Sequence, residues 1–167
     1  MATPAHVLVS STAVTTSLNS LTITGLPQNY RDLIMVIAGK GPGGQTGYVR
    51  VNDNTSAGSG NNYDLQTVER KDAAVTSRSN SSAERAYLGF NQNAWTGSTS
   101  QIVIRFCDYS NTNHQKLMLS ASDSGADAVN FIGNLWKSND AINRIFFGAG
   151  LLAGSTVRIY GIVGEEA

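Results

Sequence analysis

Apolar and polar residues alternate along most of this chain in short stretches, and Gly, Asn, Asp and Ser break the pattern every few residues. Between Leu18 and Thr24, Leu21 and Ile23 share one face with Asn19, Ser20, Thr22 and Thr24 between them. Val49 and Val51 oppose Tyr48 and Arg50; Ile102, Ile104 and Phe106 share a face of 100–107; Leu117, Leu119 and Ala121 share a face of 116–122. A period of two predicts strands. Residues 32–38 are instead continuously apolar from Leu33 to Ile37, which predicts a strand covered on both faces or crossing the centre of the core. Further strands are expected at 6–9, 86–90 and 129–136.

The chain closes on 142–147, a Gly154-Ser155 turn and 157–163, where Val157, Ile159, Gly161 and Val163 alternate with Arg158, Tyr160 and Ile162. This predicts a terminal strand pair. Residues 65–75 are ambiguous: Leu65 and Val68 suit a helical turn, whereas Ala73-Ala74-Val75-Thr76 suits a strand edge. The Ser- and Asn-rich stretch 76–83 predicts an exposed loop. Roughly ten short strands at a spacing of about 8–12 residues predict an all-β protein, an antiparallel β-sandwich that is jelly-roll-like. No 3.6-residue period is sustained and no repeat recurs, so long helices and solenoids are not expected. The expected organisation is an N-terminal arm or first strand over 1–20 and a single sandwich domain over 21–167.

Composition narrows the function classes. Charged residues make up 14%, and 12 Lys and Arg balance 12 Asp and Glu, so there is no overall field to attract nucleic acid or anionic lipid. No apolar run reaches the ~20 residues of a membrane span. The N-terminus lacks a signal-peptide pattern, which predicts synthesis in a cytoplasm. The single Cys107 ends an apolar strand, where it is expected to act as a small hydrophobe or strand-end residue; it allows no internal disulfide.

Motifs with chemical meaning lack their contexts. Gly39-Lys40-Gly41-Pro42-Gly43-Gly44 matches G-x-G-x-x-G, but a dinucleotide site needs these glycines to open a helix, and here a strand follows at Tyr48. Asp53-Asn54 with Asp64, and Asp123 with Asp127, offer hard oxygens without a calcium-loop spacing and are better read as turn caps. His6 and His114 share no ligand spacing, and no nucleophile signature supports a hydrolytic triad. The sequons at Asn54 and Asn80 matter only in a secretory pathway. No catalytic, cofactor-binding or metal residue is expected, and no cofactor. Trp95, on a polar Gly-flanked loop, offers a ring that stacks on a sugar or, as the favoured reading, plugs the sandwich end or a subunit contact. Tyr87 and Tyr109 are the companion candidates for a glycan or subunit contact. Trp136, with Phe131 and Leu135 nearby, is expected in the core.

Three segments carry a family resemblance. Leu21-Thr22-Ile23-Thr24-Gly25-Leu26-Pro27 leads to Tyr30-Arg31-Asp32-Leu33; Val49-Arg50-Val51-Asn52-Asp53 precedes Asn62-Tyr63; and Trp136-Lys137-Ser138 before Ala141-Ile142 precedes Ala153-Gly154-Ser155 and Tyr160-Gly161-Ile162. In this order they resemble a structural module of tailed-phage virions, found in capsid decoration proteins, fibres and baseplate-associated β-sandwiches, including cyanophage-like ones. The resemblance implies a non-enzymatic virion component, foremost a capsid decoration or cement protein, made in the host cytoplasm. A tail fibre, baseplate or receptor-binding, carbohydrate-recognising module is the alternative. The implied partners are other virion proteins (the major capsid protein or tail components), further copies of the chain and a host surface glycan, without nucleic acid or membrane insertion. The arm over 1–20 is expected to pair with a partner's sheet edge by strand addition.

Overall fold

The protein is represented by a computed structural model that describes residues 6–42, 46–52, 62–71, 74–88, 100–123 and 128–164. Its first four strands, β1 (His6–Ala13), β2 (Leu18–Thr24), β3 (Asp32–Gly39) and β4 (Tyr48–Val51), alternate between two sheets. β5 (Tyr63–Lys71) and β6 (Ala74–Ala83) form a hairpin, after which the short β7 (Ala86–Tyr87) pairs with β4. β8 (Ser100–Phe106), β9 (Lys116–Asp123) and β10 (Ala128–Trp136) run side by side, and β11 (Arg144–Leu151) and β12 (Thr156–Ile162) close the chain. The larger sheet has eight strands in the order β1-β12-β3-β8-β9-β10-β5-β6, and the smaller has four in the order β2-β11-β4-β7. Every pairing is antiparallel, and no helix occurs among the described residues. The all-β antiparallel sandwich expected from the alternating pattern is what the chain forms, with twelve strands among the described residues.

The pairing is nested: β1 lies against β12, β2 against β11, β3 against β8 and β4 against β7. The hairpin β5–β6 and the pair β9–β10 then widen the larger sheet beyond β8. Between the layers, the inward positions Leu33, Met35, Ile37, Ile104, Phe106 and Ile159 are fully buried, so the period-two pattern is satisfied by one apolar face per strand. β3 lies within the larger sheet, between β12 and β8. Its inward face is fully buried, while on the other face Ile34 and Val36 are half-buried and Asp32 at the strand start is buried.

Two expectations are corrected. Strands β11 and β12 do not pair with each other; they belong to different sheets. Beside the left-handed Ala149 and Gly150, the register of β11 shifts between Gly148 and Leu151. The turn at Gly154 (φ 90°) then carries the chain across to the other layer. Ser155, 1% exposed, fixes that crossing: its hydroxyl donates to the Leu152 carbonyl and accepts from the Lys40 amide. The parallel crossing from β1 to β2 is tied to it by Val14 N–H donating to Ser155 O and Gly154 N–H to Val14 O. Residues 76–83 are likewise no loop, because they belong to β6 at the sheet edge. β6 is exposed on both faces except at Ala83, so no apolar period marked it as a strand. The ambiguous stretch 65–75 resolves as most of β5 and the start of β6.

Residues 6–13 of the N-terminal arm are β1, paired along its length with β12 of the same chain. The arm therefore completes its own sheet, and its outer side forms one edge of the larger sheet.

Candidate functional site

The segments that carry the family resemblance meet in two structural joints. In the first, Asn52 adopts a left-handed conformation (φ 54°) suited to Asn. Its amide donates to Ala141 O at 2.9 Å, and its Oδ1 accepts from the Asn143 amide. The Tyr63 hydroxyl accepts the Val51 N–H within the core, and Lys137 N–H reaches Asn62 O. Lys137 Nζ continues to Asp64 at 2.6 Å and Ser81 O at 2.7 Å. Asn52, Asn62, Trp136, Ser138, Asp140 and Asn143 thus border a recess of about 590 Å³. In the second joint the ring of Tyr30 occupies the space a side chain at Gly161 would fill, and Arg31 N–H donates to Ile162 O. The Pro-Tyr-Arg opening and the Tyr-Gly-Ile ending are therefore two halves of one contact.

The three aromatic candidates are not brought together as an exposed platform. Trp95 lies outside the described residues. Tyr109 is fully buried, with its hydroxyl donating to Pro27 O and burial raising its pKa, so it has no surface to offer a glycan. Tyr87 is half-buried beside the Arg85 guanidinium, 5.4 Å from its ring centroid. Its backbone is clasped by Asn134, 1% exposed, whose Oδ1 accepts the Tyr87 N–H at 3.1 Å and whose amide donates to Tyr87 O at 3.0 Å. Asn134 thus imitates a ladder partner and holds segment 86–88 over β10. Asn134→Ala is expected to cost about 2 kcal/mol, because two part-buried backbone groups lose their bonds to Asn134. The check is a lower denaturation midpoint together with faster amide exchange at Tyr87.

Residues of the metal and nucleotide motifs serve structural contacts where they are described. Asp64 pairs with Lys137, and Asp123 accepts the Gln101 amide, while Asp53, Asn54 and Asp127 lie outside the described residues. Among the described residues no three His, Cys, Asp or Glu side chains converge as metal ligands. Gly39 ends β3 packed against the Ser155 side chain, a close approach that only glycine permits; Gly43 and Gly44 lie outside the described residues. Cys107 follows the end of β8, half-buried, and burial raises its thiol pKa. His114 stands 3.5 Å from the Asp108 carboxylate on the surface.

The feature that sequence reading missed is the outward face of the larger sheet. Leu117, Leu119 and Ala121 do share a face, but it is the outward one, and Lys116, Met118, Ser120 and Ser122 point inward. Lys116 is fully buried, its Nζ donating to His114 O and Asn139 O, and burial lowers its pKa. Neighbouring β10 repeats the inversion, with Asn130 and Asn134 buried while Val129 and Phe131 are exposed. Register lines these residues up: Val36, Val103, Ala121, Phe131 and Val68 form one row across β3, β8, β9, β10 and β5. Phe131, between Ala121 and Val68 in this row, is 60% exposed. Leu119 and Leu117 extend the apolar surface along β9, Val129 along β10, and Leu8 and Val75 mark its far sides. All exposed large hydrophobic side chains among the described residues lie on this sheet face. Outward apolar alternation on β9 and β10 was the available signal, since Leu117, Leu119, Val129 and Phe131 alternate with a set that includes Lys116, Ser120 and Asn130.

Comparison with protein-family models and with curated proteins finds no match. Among solved structures, a mutant of alginate lyase Aly36B in complex with an alginate tetrasaccharide aligns at 7% identity and TM-score 0.34, over 96% of this chain and 75% of that one. A protein of unknown function from Shewanella oneidensis MR-1 aligns at 10% identity and TM-score 0.25, over 100% and 80% of the two chains. At these TM-scores neither alignment bears on function.

Proposed function

We propose that this chain is a non-enzymatic structural component of a tailed-phage virion, a decoration or cement protein of the capsid. The observation that carries this reading is the apolar outward face of the larger sheet. A sandwich whose second face met only water would carry polar residues there, as β6 does. On β9 and β10 Lys116, Ser120, Ser122, Asn130 and Asn134 are turned inward beside Met118, Ile132 and Trp136, while Leu117, Leu119, Val129 and Phe131 are turned outward, an arrangement that suits a domain covered on both faces in its working state. Nested strand pairing with β1 against β12 and β4 against β7 is the connectivity we read as a jelly roll with two inserted strand pairs. The residues shared with the phage module serve as joints of this scaffold.

The test uses particles of the encoding phage assembled without the chain. Purified chain added to them is expected to bind saturably at a fixed stoichiometry and to appear at symmetric positions in a cryo-EM map. Particles that stay bare at saturating protein would overturn the reading. The recess beside Asn52, Asn62, Trp136 and Asp140 supports a second reading, a glycan-recognising module of the same virion, because amides and a carboxylate next to an aromatic suit sugar hydroxyls. That reading requires glycan binding that Asp140→Ala removes without loss of fold.

A further inference from the structure

We propose that the outward face of the eight-stranded sheet is a self-association surface on which two copies of this chain pack sheet against sheet about a two-fold axis. This goes beyond the virion reading: it names what covers the face.

A two-fold interface must be complementary to itself, so one patch has to carry both members of every contact. This patch does. Asp123, Val129 and Arg70 form one row across β9, β10 and β5, with exposed charges of opposite sign on either side of β10. A two-fold axis lying along β10 places Arg70 of each copy over Asp123 of the other. The same axis brings the two Phe131 rings together at the centre of the patch. Gly133, two residues further along the same face, leaves open space beside them: a β-carbon there would meet only Leu119 Cδ2, at 3.9 Å. The axis sets ring against ring, and the open space at Gly133 gives the two facing rings room to slide past each other along β10.

With the axis along β10, the five strands from β8 to β6 of one copy overlie those of the other. At about 4.8 Å per strand and three or four outward positions per strand, they span roughly 24 Å by 20 Å, close to 500 Å² on each copy. The two copies together then bury about 1,000 Å², the lower bound of a specific interface, which suits a dimer that forms at high concentration. The four-stranded sheet offers no comparable apolar row. Two such faces packing about 10 Å apart would bury Phe131, Leu119, Val103 and Val68 in a dry centre, flanked by Arg70 and Asp123.

The experiment is sedimentation velocity of the purified full chain from about 1 to 100 μM, the range in which standard-size interfaces separate into weak and stable. A dimer mass at the upper concentrations is expected. Phe131→Asp is expected to weaken it by at least about 100-fold, leaving monomer throughout, as for a central aromatic hot spot. Leu119→Glu serves as the second disrupting variant should Phe131→Asp fail to fold, as judged by circular dichroism. Thr22→Asp, exposed on the other sheet, is expected to leave the dimer intact. A monomeric wild-type chain at 100 μM, or a folded Phe131→Asp or Leu119→Glu protein that dimerises like wild type, overturns the proposal. If the wild-type chain is monomeric and Phe131→Asp abolishes its binding to particles, another virion protein covers the face. In that case self-association falls and the virion reading stands. If the chain dimerises through this face but does not bind particles, self-association stands and the virion reading falls.

Discussion

Gly161→Ala is expected to destabilise the protein by about 3 kcal/mol, near the upper end of the cost of overpacking. Gly161 sits on the inward side of β12, which runs between β1 and β3, and the Tyr30 ring lies where its β-carbon would be built. The ring cannot simply swing away. Tyr30 is followed by Arg31, whose N–H is fixed on Ile162 O, and by Asp32, which begins β3. For a domain of this size the loss corresponds to a fall in Tm of roughly 6–12 °C. A double-mutant cycle separates steric overlap from any intrinsic cost of alanine in the strand. In a Tyr30→Ala background the added methyl has room, so the further effect of Gly161→Ala is expected to shrink to below about 1 kcal/mol. An undiminished effect in that background would show that Tyr30 is not what excludes a side chain at 161. Gly148 repeats the device on the smaller sheet, where the ring of Tyr48 lies over it from the paired strand β4.

This contact shows how the sequence can be read and where it runs out. Strand existence was legible wherever one face had to be apolar: β3, β8 and β12 follow their alternation or apolar run closely. Partner choice was not. Nothing in Ala153-Gly154-Ser155 distinguishes a hairpin turn from a crossing between layers; the difference lies in the β11 register shift and in Ser155 reaching Lys40, 115 positions away. β6 was invisible because a strand exposed on both faces has no period to display. The candidate site failed for a related reason. Alternation says which residues share a face, but only the fold says which face is inward, and a shift of one position exchanges the two. Leu117, Leu119 and Ala121 were correctly grouped, yet they point away from the core, because fully buried Lys116 finds two carbonyl partners there and Ser122 Oγ donates to Leu88 O. Tyr109, a candidate for a glycan or subunit contact, instead pins the turn at Pro27 to the loop before β11, with its own carbonyl taking the Ile142 N–H.

Removing the Asp32 carboxylate is expected to cost about 2–3 kcal/mol and to flatten the acid limb of the stability curve. Asp32, 2% exposed, opens β3 and accepts four hydrogen bonds: from Asp108 N–H at 2.8 Å, from Arg105 Nη2 at 2.5 Å and Nε at 3.1 Å, and from Arg31 Nε at 3.2 Å. Burial alone would raise its pKa. The Asp108 amide and the Arg105 guanidinium outweigh burial, with Arg31 adding to them, and hold the carboxyl below its ordinary 3.8. A carboxylate whose folded pKa is depressed contributes stability that is fully present above the unfolded value and is lost as pH falls through the folded one. The wild-type protein is therefore expected to lose stability as the pH drops below about 4, the range in which unfolded Asp takes up its proton. Asp32→Ala is expected to show a lower denaturation midpoint at pH 7, with the gap to wild type narrowing steadily below pH 4. Both guanidinium groups are about half exposed and can turn to water, which keeps the loss below that of a fully enclosed pair. The Asp108 amide, at the left-handed turn after β8 (φ 45°), loses its carboxylate acceptor. Asp32→Asn keeps that acceptor and so is expected to recover part of the stability while still removing the pH dependence. A midpoint gap that stays constant from pH 7 to pH 2 would sink the assignment of acid sensitivity to this residue.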